Sequence, residues 1–252
     1  MPQAIHPIIT KNNAFSLTEL AVVIVIIALI LSAVMKGQNL ITESKLQAIV
    51  SEVSKHKVSI TSFYNKYDQY PGDFSEAVDN WGATTADGDN NGYVEFKNTA
   101  GTPVYEGFRA WQHLNYAGMT DSPYLGTATT SAAVTVTDVP ASRIGGGFLL
   151  DYSSSATAYD HITSGAYGFL AKNVMILGVP AATSASPLLA GGTMTPSQAM
   201  DIDGKMDDGA PTTGSVRGAD GNASTAGNCQ ASLVYKLTLT GKDCILIFKA
   251  NE

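Results

Sequence analysis

The chain has 252 residues, a formal charge of −7 and a pI near 5.0, which argues against a surface built to coat nucleic acid. Its two cysteines, Cys229 and Cys244, are too few for an all-cysteine zinc site, and no CxxC occurs. The length suits one domain plus an appendage.

Met1 to Ala14 forms a short polar leader with a single lysine, Lys11. From Phe15 to Met35 the chain is apolar except for Glu19, Ser16, Thr18 and Ser32. Roughly 20 such residues at about 1.5 Å each span a bilayer core. The run exceeds the h-region of a secretory signal peptide, and Ser32-Ala33-Val34-Met35-Lys36 makes a poor exit site for one. Glu19 is its only ionisable side chain. A carboxylate in lipid is costly, so a run that served only as an anchor would have no use for it. Glu19 is expected to have a partner within the membrane or an assembly; the alternative is a snorkelling glutamate of a plain anchor.

The helical pattern continues past the apolar run. Leu46, Ile49, Val50, Val53, Ile60, Phe63, Tyr64 and Tyr67 recur at spacings of three, four and seven. Glu43, Lys45, Glu52, Lys55 and Lys66 occupy the other face, and His56 and Lys57 border the stripe. Tyr70-Pro71-Gly72-Asp73 ends the helix. The expectation is one helix of about 50 residues, half in membrane and half amphipathic. Gly37 is a weak point where it could melt locally.

Residues 71–252 read as a single α+β head. A short helix over Glu106–Ala117 would turn Phe108, Trp111, Leu114 and Tyr116 to a core. Gly165–Val179 reads as β-rich, with Phe169, Val174, Ile176 and Val179. Thr195-Pro196 is a good N-cap and first helical residue. Leu233–Leu239 and Cys244–Phe248, joined by Thr240-Gly241-Lys242-Asp243, read as a hairpin. Gly126–Ala133, Ser153–Thr157 and Ala181–Ser186 read as surface loops.

Two acidic stretches could hold a metal ion. Asp87-Gly88-Asp89-Asn90-Asn91-Gly92-Tyr93-Val94-Glu95 follows the start of an EF-hand-type loop. Asp87, Asp89 and Asn91 alternate, Gly92 sits at the turn, Tyr93 offers a carbonyl, and Glu95 stands in for the missing Glu at the twelfth place. Calcium favours such hard oxygens; the alternative is a solvated turn. In the second stretch, Asp201 to Asp208, Lys205 falls where a ligand is wanted, and Asp201 and Asp203 could simply finish a helix before Gly209. The histidines, His6, His56, His113 and His161, are scattered, and no HExxH, GxSxG, Walker A or GxGxxG pattern occurs, so no enzyme is expected. His161 beside Asp160 reads as a surface turn, and Gly145-Gly146-Gly147 lacks the lysine of a phosphate loop.

The order of the N-terminal pieces carries a family resemblance. Ala14-Phe15-Ser16-Leu17-Thr18-Glu19-Leu20, set between a polar leader and a membrane-length helix, resembles the processing motif of the type IV pilin and pseudopilin family. That motif is a small residue, usually Gly, followed by Phe-Thr-Leu-Ile-Glu-Leu. Ala14 replaces the Gly and Thr18 the Ile. The resemblance covers residues 14 to about 40 and implies several things. A leader, residues 1–14, is cleaved after Ala14 by a prepilin peptidase, and Phe15 becomes the N-methylated first residue. Residues 15–70 form the helix and 71–252 the head. The subunits polymerise through their helices, with the Phe15 ammonium meeting the Glu19 carboxylate of a neighbour. The precursor resides in the inner membrane and engages a pilus assembly machinery. The product is an extracellular filament or a periplasmic pseudopilus of a type II secretion system. A membrane-anchored binding module is the alternative of another class. In an exported chain, Cys229 and Cys244 would pair, as many pilins close a C-terminal loop, with two unpaired thiols as the alternative. Tyr70-Pro71-Gly72-Asp73 and Asp201–Gly209 look like segments of large-headed bacterial prepilin-like proteins.

Overall fold

The structure is a computed structural model that describes residues 16–82, 84–99, 102–127, 137–154, 169, 172–180, 189–221 and 227–250. Helix α1 runs Leu17–Tyr67, 51 residues without a break. The chain divides into two compact units, Met1–Ser44 and Lys45–Glu252, so the helix contributes to both.

Within the first unit the described side chains of α1 are almost all exposed, including Val22, Ile24, Ile27, Leu29, Ile30 and Leu31. This is the one helix among the described residues long and apolar enough to cross a membrane.

The second unit is α+β. A four-stranded antiparallel sheet has the order β3-β4-β8-β5, with β3 at Gly147–Ser153, β4 at Lys172–Gly178, β5 at Val216–Asp220 and β8 at Cys244–Lys249. Two small hairpins accompany it: β1 (Phe96–Thr99) with β2 (Thr102–Tyr105), and β6 (Gln230–Ala231) with β7 (Val234–Tyr235). Among the described residues, helices α2 (Ala77–Trp81), α3 (Glu106–Tyr116) and α4 (Pro196–Met206) complete it.

The amphipathic part of α1 is the centre of this unit. Leu46, Ile49, Val53, Ile60 and Phe63 are buried, with Val50 and Tyr67 packed at the margin. Tyr64 is exposed and instead meets the Tyr70 ring in a tilted contact, at a centroid distance of 4.7 Å. His56 inserts between α3 and the sheet, 4.9 Å from the Trp111 ring and 5.0 Å from Phe148. Burying side chains of this size supplies about 1.5–3 kcal/mol each, which is why the periodic stripe fixes this half of the helix. In α3, Phe108, Trp111 and Leu114 are buried as expected, whereas Tyr116 is exposed beside Trp81.

Helix α4 starts as its sequence predicts. Thr195 and Gln198 form a reciprocal capping box, with Pro196 in the first turn.

The expected Leu233–Phe248 hairpin does not form. Cys244–Lys249 pairs with β4 on one side and β5 on the other, and Val234–Tyr235 turns back on Gln230–Ala231. The reason lies in the apolar pattern: Cys244-Ile245-Leu246-Ile247-Phe248 is buried along its whole length, as a central strand covered on both faces requires. Ser232 and Leu233 adopt positive φ and reverse the chain before a longer arm can grow. Ser153 also departs from the loop reading, being buried as the last residue of β3 and accepting a hydrogen bond from Phe169 N–H. Ala14, Phe15, His161, and the segments 128–133 and 181–186 lie outside the described residues.

Candidate functional site

The start of α1 is built by two side chains. Ser16 N–H donates to Glu19 Oε2 (2.8 Å) and Glu19 N–H donates to Ser16 Oγ (3.2 Å). This is a capping box, a serine followed three residues later by a glutamate, and it satisfies two donors that a helix start leaves open. Glu19 thus has a local role that its charge alone does not reveal.

The acidic loop is organised by residues outside it. After α1 ends, Gly72 takes φ 95°, a left-handed conformation. A Cβ there would lie 2.4 Å from the Glu106 carbonyl oxygen, so the chain can press on α3 only as glycine. Gly72 N–H donates to His113 Nδ1 (3.0 Å), which leaves the ring proton on Nε2 to bond the Ala86 carbonyl (3.1 Å). One buried imidazole therefore ties the Tyr70–Asp73 turn to the acidic loop. Burial holds His113 down at about 4, with the Arg109 charge adding to the effect, so the ring stays neutral.

Asp73 completes the junction. Its side chain is fully buried, and its two oxygens accept Asn91 N–H (3.0 Å) and Gly92 N–H (2.8 Å). Its carbonyl accepts Asn90 N–H (3.1 Å). Farther along, Glu106 Oε2 accepts Glu95 N–H (3.1 Å), and Asn173 accepts Val94 N–H and donates to the Gly92 carbonyl.

Three carboxylates, Asp73, Asp89 and Glu106, each bring an oxygen within 4.8 Å of the others. Burial pushes Glu106 up to about 8, and the neighbouring charges of Asp73 and Asp89 add to it. Asp73 is pushed up to about 6, again chiefly by burial. Burial thus favours the protonated form of Glu106, and the hard oxygens of the cluster suit calcium. Asp89 is the one member of the predicted set Asp87, Asp89, Asn91, Tyr93 and Glu95 that belongs to it. Asp87 Oδ1 instead accepts Val78 N–H at the start of α2, and Asn91 Oδ1 accepts Tyr93 N–H. Asn91 does approach Glu95, its amide donating to Oε1 (3.2 Å). Asp73 stood in a string noticeable in the sequence, but neither it nor Glu106 has a spacing that ties it to the loop.

In the second acidic stretch, Asp203, Asp207 and Asp208 also converge within 4.8 Å. All three hold turns. Asp203 accepts Tyr235 O–H (2.8 Å) and Gly209 N–H (3.2 Å), Asp207 accepts Ser215 and Val216 N–H, and Asp208 accepts Ala210 N–H.

Cys229 and Cys244 form a disulfide, both sulfurs buried. It ties the first residue of β8 to the segment after β5, where Asp220 accepts Gly227 and Cys229 N–H (2.6 Å each).

Comparison with protein-family models, with curated proteins and with solved structures returns no match.

Proposed function

We propose that this chain is a structural subunit of a type IV pilus-like filament, stored in a membrane by the first half of α1 and polymerised through that helix. The observation that carries the reading is the division of labour along 51 residues of helix. The second half is core to an α+β unit, while the first half exposes a membrane-length apolar surface interrupted by one carboxylate. On this reading a prepilin peptidase cuts after Ala14 and the N-methylated Phe15 ammonium pairs with Glu19 of a neighbouring subunit. In a low-dielectric bundle that attraction is far stronger than in water. Assembly machinery would extract the subunit from the inner membrane into an extracellular filament.

The capping box favours a second reading, a membrane-anchored binding module in which Glu19 serves the helix start alone. Glu19→Gln separates the two. Glutamine can accept the Ser16 hydrogen bond but carries no charge. In a strain expressing only this variant, sheared surface fibres counted by electron microscopy should be strongly reduced, while membrane insertion is unchanged. Fibres at wild-type yield would refute the pairing of Glu19 with Phe15, and surface fibres that contain none of this chain would leave the anchor reading standing.

A further inference from the structure

The acidic loop contains the one Asn-Gly step in the chain, Asn91-Gly92. An asparagine side chain cyclises most readily before glycine, where no Cβ shields the attacking nitrogen. Both residues are exposed, and a Cβ built on Gly92 would meet nothing within 4 Å. Steric crowding therefore does not protect the step.

Hydrogen bonding constrains it instead. Asn91 N–H and Gly92 N–H donate to the two oxygens of the same carboxylate, that of Asp73, at 3.0 and 2.8 Å. Successive amides reach one anion only when both N–H vectors point to the same side, as in a backbone nest. That places both nitrogens on one side of the Asn91 Cα–C bond and turns the Gly92 nitrogen towards Asp73. Attack on Asn91 Cγ needs a rotation about that bond and the loss of these hydrogen bonds. The side chain is held as well, Oδ1 by Tyr93 N–H (2.8 Å) and Nδ2 by Glu95 Oε1 (3.2 Å). The clamp is itself immobilised, since Asp73 is fully buried and the preceding Gly72 is bonded to His113.

We propose that Asn91-Gly92 is a latent deamidation site, kept closed by the Asp73 carboxylate and exposed when the loop opens locally. On opening, the Gly92 nitrogen gives up its proton to solvent and bonds to Asn91 Cγ. The Cγ–Nδ2 bond breaks, the nitrogen leaves as ammonia, and water hydrolyses the cyclic imide to aspartate or isoaspartate. Reclosing does not reverse the change. The deamidated fraction therefore integrates the time the loop has spent open, and it places a new carboxylate beside Asp89 and Glu95.

The test uses the full chain in detergent and a synthetic peptide of residues 86–96, incubated together at neutral pH. Peptide mapping by mass spectrometry reads imide, aspartate and isoaspartate at position 91. The folded chain should convert about tenfold or more slowly than the peptide, as a clamp costing roughly 1.4 kcal/mol to open requires. Asp73→Asn, which keeps one acceptor oxygen and loses the second, should move towards the peptide rate. Wild-type conversion at the peptide rate overturns the proposal, as does a folded Asp73→Asn variant that converts as slowly as wild type. If that variant does not fold, amide hydrogen exchange on the wild type decides. Protected Asn91 and Gly92 amides support the clamp, and exchange at the peptide rate refutes it.

Discussion

Replacing Glu106 by glutamine should make the second unit less sensitive to rising pH. Glu106 is 1% exposed, and its carboxyl is raised from an ordinary 4.5 to about 8. The folded protein therefore binds this proton more tightly than the unfolded chain does. Stability from this group is fully present below pH 4.5 and is lost as pH rises through about 8. The whole window corresponds to roughly 5 kcal/mol, and the interval from about pH 5 to about pH 7 to roughly 3 kcal/mol. Glutamine keeps an oxygen for Glu95 N–H and has no proton to lose. Urea unfolding of the full chain in detergent, followed by near-ultraviolet circular dichroism, should show wild type losing about that 3 kcal/mol relative to Glu106→Gln. Calcium supplies the second arm. If the carboxylates of Asp73, Asp89 and Glu106 take up the ion, calcium offsets the alkaline loss in wild type. The gain approaches about 2.7 kcal/mol at a hundredfold excess over the dissociation constant and is much smaller in Glu106→Gln. Parallel pH profiles for the two proteins would refute the burial argument. Identical melting of metal-free wild type in calcium and in chelator would refute calcium binding at this cluster.

On the acid side, burial depresses His56 from 6.5 to about 4, so its stabilisation is present above pH 6.5 and lost as pH falls towards 4. His56→Leu should flatten that acid limb by roughly 3 kcal/mol in the same unfolding assay; an unchanged limb would place the acid sensitivity elsewhere. Reducing Cys229–Cys244, which closes a separation of 15 residues, should cost about 3 kcal/mol and lower the melting temperature. A reduced protein that melts with the oxidised one would contradict this. N-terminal sequencing of surface-purified protein should begin at N-methylated Phe15; a chain retaining residues 1–14, or cut beyond residue 30, would contradict the filament reading.

The elements that were legible in the sequence are those with local signals. The amphipathic half of α1 announced itself by spacing, α4 by Thr195-Pro196, and α3 by Phe108, Trp111 and Leu114. Strands β3 and β5 gave little warning. Their edges carry glycine and aspartate, and their partners lie far along the chain. The Cys244–Phe248 run was visible as a strand but not as a central one, because pairing on both sides is set by tertiary context. The acidic site divided the same way. The loop Asp87–Glu95 was evident from composition, whereas Asp73, His113 and Glu106 reach it only through the fold. Ser16 and Glu19 stand at capping-box spacing, a local signal that coincides with the one charge of the apolar run.

The position of β8 constrains when the second unit can form. It lies between β4 and β5, so until it arrives the sheet consists of the β3–β4 pair and an isolated β5. The amphipathic half of α1 is synthesised first and must wait for that surface. Contacts of such long range are slow to form, because loop closure comes before any reward. During synthesis the nascent unit therefore stays open and threadable, with its earliest apolar stripe uncovered. In that interval a holding chaperone would have a defined target, the Leu46–Phe63 stripe. Completion of the sheet, rather than emergence of the helix, is the event that closes the second unit.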